Sequence, residues 1–106
     1  MDVFVIFKHG TSSHKSPILD NVGMEPKWKN CHYDFVVKGY HEEIEMEVFD
    51  KNPLRNRSVG DSKLSIDFLI KNAEREEWFE IHHKKESAGK ICLRASWTPV
   101  LVEEVK

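Results

Sequence analysis

Six histidines and two cysteines are the residues of this chain best suited to metal binding or nucleophilic catalysis. Their spacing supports neither. His82 and His83 are adjacent, so on a strand they point to opposite faces and do not easily share one ion. Cys31-His32 has no second ligand pair at zinc-site spacing, and Cys31 and Cys92 form no CxxC. A Cys–His nucleophile pair would need one of those thiols in an exposed, sharply turned position. Neither cysteine lies in such a turn, and a free cysteine is ordinarily an inert small hydrophobe. There is no glycine-rich phosphate cradle and no nucleophile elbow. The residues read as those of a non-catalytic, reduced, cytoplasmic protein.

The charged residues offer more. In Lys51-Asn52-Pro53-Leu54-Arg55-Asn56-Arg57 one leucine stands among three cations. Other cations are scattered: Lys8, His14 and Lys15 near the start, Lys27 and Lys29 on either side of Trp28, and His82 to Lys85 late in the chain. The totals, 18 acidic against 16 basic residues, leave a formal charge of -2. A nucleic-acid binder would carry a marked basic excess, so that class is excluded. The longest purely apolar run, Val3 to Phe7, is far short of the ~20 residues of a membrane span.

The 106 residues leave room for one domain to hold these groups. Val3, Val5 and Phe7 alternate with Phe4 and Ile6, which predicts an interior strand apolar on both faces. Ile44, Met46 and Val48 alternate with Glu43, Glu45 and Glu47, the pattern of a strand with one wet face. Tyr33, Phe35 and Val37 form another alternating set. Ile91, Leu93, Ala95 and Trp97 form a fourth, and Val59 to Ile66 and Trp78 to Ile81 are further strand segments. Asp67 to Glu77 is the place for a short helix, with Asp67 as its N-cap. Trp28, Tyr33, Phe35, Phe49, Trp78 and Trp97 are expected in the core. Turn-rich connectors separate these runs at His9 to Ser13, Asp20 to Pro26, Lys51 to Ser58 and Lys84 to Gly89. The pattern describes an all-β antiparallel sandwich with at most one short helix.

The order of landmarks carries a resemblance. Asp2-Val3-Phe4-Val5 comes first, then Glu25-Pro26-Lys27-Trp28 before an aromatic segment. Val48-Phe49-Asp50-Lys51-Asn52 and Val59-Gly60 follow, and Trp78-Phe79-Glu80-Ile81 and Gly89-Lys90-Ile91-Cys92-Leu93 close the series. From Asp2 to about Thr98 this resembles the C2 domain family, the calcium- and lipid-binding β-sandwich. Val3 replaces the usual proline, and Lys29 looks like an inserted residue after Trp28. The sequence begins where the family's second strand begins, which implies a truncated sequence, or a sheet edge that a second chain or the C-terminus would cover. The expected division is a domain over 1–98 and a tail over 99–106, within which Val100 to Val105 is a candidate edge strand. A homodimer through the exposed edge is the corresponding expectation for assembly.

The resemblance implies a calcium site and lets it be tested residue by residue. Asp2 matches the aspartate of the family's Asp-Pro-Tyr, and Asp50 the first of its Asp-x-Asp. Asn52 stands where the second would be, keeping an oxygen without the charge. Arg57 occupies the place of a later aspartate, in a loop one residue shorter. A unit-charge pair at 4 Å is worth roughly 4 kcal/mol at an effective dielectric of 20. Exchanging a carboxylate for a guanidinium therefore opposes a dication that wants six to eight oxygens. No cofactor is expected; the alternative is a calcium site completed by residues from elsewhere. The resemblance instead implies docking to an anionic phospholipid membrane, through Lys51, Leu54, Arg55 and Arg57 and through Lys15, Lys27 and Lys29. A protein-interaction module is the alternative.

Overall fold

A computed structural model describes residues 2–20 and 27–99. The strands are β1 (Val3–His9), β2 (Ser12–Lys15), β3 (Glu43–Asp50), β4 (Arg57–Ser65), β5 (Glu76–His83) and β6 (Glu86–Arg94), with one helix, α1 (Ile66–Lys71), after β4. They pair in the order β2-β1-β3-β4-β5-β6, each neighbour antiparallel. β4 and β5 meet at one residue pair, Asp61 with His82. That narrow seam lets the β5–β6 hairpin fold back, so that Ile81 and Ile91 share a core with Val3, Val5, Ile44, Met46, Val48, Leu64 and Ile66. The result is the expected β-sandwich. Gly60 sits at the seam with no room to spare. A Cβ there would lie 3.1 Å from the His82 carbonyl oxygen and 3.2 Å from the Ala88 methyl.

The alternation in β3 works as the sequence predicts: Ile44, Met46 and Val48 are buried, Glu43 and Glu45 are exposed, and Glu47 is partly so. β1 is apolar on both faces for two reasons. Val3 and Val5 enter the core, while Phe4, 2% exposed, stacks on Phe49 across the strand pair at 5.3 Å. The Lys15 ammonium covers the Phe4 ring at 4.4 Å. Beyond β2 the edge becomes irregular at Pro17, which has no N–H to give. The buried Ser16 hydroxyl takes the Val5 N–H at 2.8 Å, and Leu19 resumes pairing with Val3.

Several boundaries differ from the sequence-based expectation. The helix begins at Ile66, not Asp67, because the Ser65 hydroxyl caps it by accepting the Phe68 N–H. Asp67 instead pairs with Lys71 one turn on, at 2.9 Å. The strand before it runs from Arg57 to Ser65, and Glu76 and Glu77 belong to β5. Tyr33, Phe35 and Val37 keep their alternation as half-buried residues between exposed ones, yet join no ladder among the described residues. Packing sets that alternation: Phe35 and Val37 lie against the core, and Tyr33 against Phe7. β6 stops at Arg94, the Ala95 carbonyl being taken by the Glu74 N–H after the helix. Trp97 and Trp78 are therefore not core residues; both are at least half exposed. Glu25 and Pro26, and the edge strand expected at Val100 to Val105, lie outside the described residues.

Candidate functional site

The antiparallel register brings the start of β1, the end of β3 and the start of β4 to one end of the sheet. Val3 pairs with Asp50, Asp50 with Arg57, and the Asp2 carbonyl accepts the Lys51 N–H at 2.7 Å. Asp2 and Asp50, separated by most of the first half of the chain, are thus neighbours at the root of one loop, residues 51–56. Every residue from Lys51 to Arg57 is exposed. Pro53 and Leu54 make the bend at the tip, and Leu54 is 99% exposed. With Asn52, Arg55 and Arg57 they line a shallow, open concavity of about 470 Å³.

Arg57 does not simply swing away. Its Nη2 lies 3.3 Å from an Asp50 carboxylate oxygen, with the Asp50 side chain 14% exposed and the Arg57 side chain 70% exposed. The guanidinium thus meets the carboxylate that the calcium analogy would assign to a metal. Asn52 brings a neutral amide on the exposed loop. Among the described residues, no group of three or more His, Cys, Asp or Glu side chains is arranged to hold a metal ion. A donor set with one carboxylate engaged by a cation and one exchanged for an amide does not fit a hard dication well. The Asp50–Arg57 contact had a signal in the sequence, opposite charges flanking a short loop whose ends must pair.

The second set of cations is placed by aromatic residues. The Trp28 indole N–H donates to the Pro17 carbonyl at 2.8 Å, and the Tyr33 hydroxyl donates to the Lys15 carbonyl at 3.1 Å. These two bonds lay residues 28–33 beside the chain that runs on from β2. Lys27 and Lys29 are exposed on either side of Trp28, whereas the Lys15 ammonium is over Phe4. The Lys51–Arg57 cations therefore share one short loop, and the other three are spread over two segments.

Cys31, His9 and His14 make defined contacts within the fold. Cys31 donates its S–H to the Tyr33 hydroxyl at 3.1 Å. Burial first, and then Cys31, push the Tyr33 phenol up to about 12, so it remains a neutral donor. Burial, with Glu76 and Glu77 adding to it, raises the Cys92 thiol, the opposite of what a nucleophile needs. His14 stacks on Tyr33 at 5.1 Å and meets Phe35 edge-on at 5.0 Å. His9 is bound to Glu42 at 2.5 Å, a pair 33 residues apart in sequence that no local pattern announces. His82 and His83 are exposed at the end of β5.

Comparison with known proteins agrees with this architecture. A family model of the C2 domain matches residues 1–81. The chain belongs to the C2 domain family. This C2 domain is 31% identical over 104 residues to Synaptotagmin-4 of Arabidopsis thaliana, covering 94% of the chain and 17% of that protein. It is 27% identical over 105 residues to Extended synaptotagmin-1 of Homo sapiens, covering 99% of the chain and 9% of the relative. Among solved structures, one holding two C2 domains of Extended-Synaptotagmin 2 superposes with a TM-score of 0.69 at 23% identity, over 86% of this chain and 30% of that one. The chain thus spans less than a fifth of the length of these curated relatives. No helix among the described residues is long and apolar enough to cross a membrane.

Proposed function

We propose that this C2 domain is a non-catalytic module that docks peripherally on anionic phospholipid membranes without needing calcium. The observation that carries the reading is the loop tip: Leu54 stands 99% exposed among Lys51, Arg55 and Arg57. Fixed cations meet lipid phosphates while Leu54 enters the headgroup layer. The Asp50–Arg57 contact supports the calcium-independent form, since a guanidinium stands beside the carboxylate that a metal ion would use. Each cation near an anionic bilayer is worth about 1 kcal/mol, and a partly inserted leucine adds about 1–2. The sum, about 4–5 kcal/mol, corresponds to roughly millimolar affinity. Membrane residence then draws on a second anchor or on avidity. That arithmetic suits a module used beside others, as in relatives much longer than this chain.

Co-sedimentation with phosphatidylserine-containing vesicles, with calcium and with chelator, tests the reading. Binding should fall steeply with salt, ignore calcium, and be abolished by Arg55→Glu with Arg57→Glu. Binding indifferent to both salt and charge reversal would sink it, and binding seen only with calcium would overturn the calcium-independent form. A second reading, docking to a protein partner, is favoured by β6, which pairs only with β5 among the described residues, and by Trp78, 59% exposed on that hairpin. Retained partner capture by the charge-reversed protein would favour it.

A further inference from the structure

Ser58 follows the cationic loop directly, with Arg57 one residue before it and Arg55 three before it. Both arginines are exposed, and the segment 51–56 carries no strand pairing, so it can be presented as an extended chain. Ser58 is the second residue of β4 and pairs with Phe49, beyond a register shift at Val48/Phe49. That irregularity separates the Ser58 and Arg57 pairs from the regular ladder that continues from Gly60. Freeing Ser58 thus requires opening two terminal pairs, an ion pair whose Arg57 side is exposed, and the bond from the Ser58 hydroxyl to a Glu47 oxygen at 2.7 Å. Strand ends with such contacts open at low cost.

We propose that Ser58 is a phosphorylation acceptor for an arginine-directed protein kinase, and that phosphate there switches off docking by the loop; the switch rests on the lipid reading given above. An acidic kinase cleft recognises guanidiniums by charge and by bidentate geometry, and two of them precede this hydroxyl in register. In the transfer the Ser58 Oγ attacks the terminal phosphorus of a nucleoside triphosphate brought by the kinase. The bond from that phosphorus to the bridging oxygen breaks, the diphosphate leaves, and the hydroxyl proton passes to the kinase's carboxylate base. The product carries close to two negative charges at neutral pH. It cannot return to its place beside the Glu47 carboxylate, and it faces the Arg55 and Arg57 guanidiniums instead. Two of the loop's three positive charges are then cancelled, and at about tenfold in affinity per 1.4 kcal/mol the loss is about thirtyfold.

The test treats the chain with a purified arginine-directed serine/threonine kinase and MgATP, maps the modified residue by mass spectrometry, and then measures co-sedimentation with phosphatidylserine–phosphatidylcholine vesicles. A single phosphate on Ser58 and about thirtyfold weaker sedimentation are expected. Ser58→Ala should take no phosphate at this position and sediment like the untreated chain, and Arg55→Ala should be a poor substrate. Phosphate placed only on other residues overturns the acceptor. Phosphate on Ser58 with unchanged sedimentation overturns the switch. If the untreated chain ignores the vesicles, the lipid reading has failed and the switch with it, whereas the acceptor stands or falls on the mass spectrum alone.

Discussion

The two ends of the β1–β3–β4 sheet are built on opposite plans. At one end Glu42 ties three segments together. Its carboxylate holds the His9 ring and the Lys38 N–H, and its carbonyl accepts the Ile66 N–H that starts the helix. His9 and Glu42 are only 17% and 19% exposed, and His9 also meets the edge of Phe35. At the other end the loop after β3 carries the Asp50–Arg57 ion pair at its root and an exposed leucine at its tip. The contrast separates two jobs. A closed end fixes the sandwich, which leaves the open end able to yield to whatever it touches.

The largest effect is expected at the seam on which both ends depend. Gly60→Ala would press a methyl against the His82 backbone, which cannot rotate away as a side chain could. The loss should be about 1–3 kcal/mol, as for other overpacked sites, measured by chemical or thermal unfolding. If the comparison of ends is right, the folded fraction of that variant should still bind vesicles normally. A variant as stable as the parent would mean that β4 and β5 are free to separate here.

How much of this was legible beforehand depends on the range of the interaction. Ile44, Met46 and Val48 alternate with glutamates, and that local period of two was enough to orient β3. The landmark order from Asp2 to Leu93 was enough to place the fold. Tyr33, Phe35 and Val37 show the same period, but a ladder needs a partner strand, and alternation does not name one. Trp78 was misplaced because a hairpin with apolar residues on both faces leaves the inner face ambiguous. The register that pairs Phe79 with Ile91 turns those two inward and Trp78 outward beside Cys92. At the candidate site, loop composition revealed Leu54 and its cations. The engagement of Arg57 with Asp50 needed the register, and His9–Glu42 needed the whole fold.

A smaller effect, on the pH dependence, tests the closed end. The hydrogen bond with His9 is the main cause holding the Glu42 carboxyl below the usual carboxylate range; burial opposes it, and the Lys38 N–H and the nearby His41 reinforce it. A carboxylate depressed by folding stabilises the native state above its unfolded value, and that contribution disappears as pH falls through the folded value. Melting temperature should therefore decline on acidification from about pH 6 to about pH 3, with a shallower decline in Glu42→Gln. Glu80, held down chiefly by Ser87, keeps a residual slope in the variant. Identical acid slopes in the two proteins would show that the Glu42 tie does not couple to folding.

The smallest change in stability belongs to the open end, where it is the most informative. Leu54 makes almost no contact that water does not already replace, so Leu54→Ser should move the unfolding free energy by no more than about 0.5 kcal/mol. Vesicle affinity, in contrast, should fall by about tenfold, the worth of partly inserting a leucine. Its salt dependence should stay as steep as before, because Lys51, Arg55 and Arg57 are untouched. That combination isolates the apolar contribution from the ionic one. A clear loss of stability would mean that the tip packs against the protein in solution and that the two ends are less different than their contacts imply. Unchanged vesicle affinity would leave the cations as the whole of the docking surface, with the leucine a bystander at the bend.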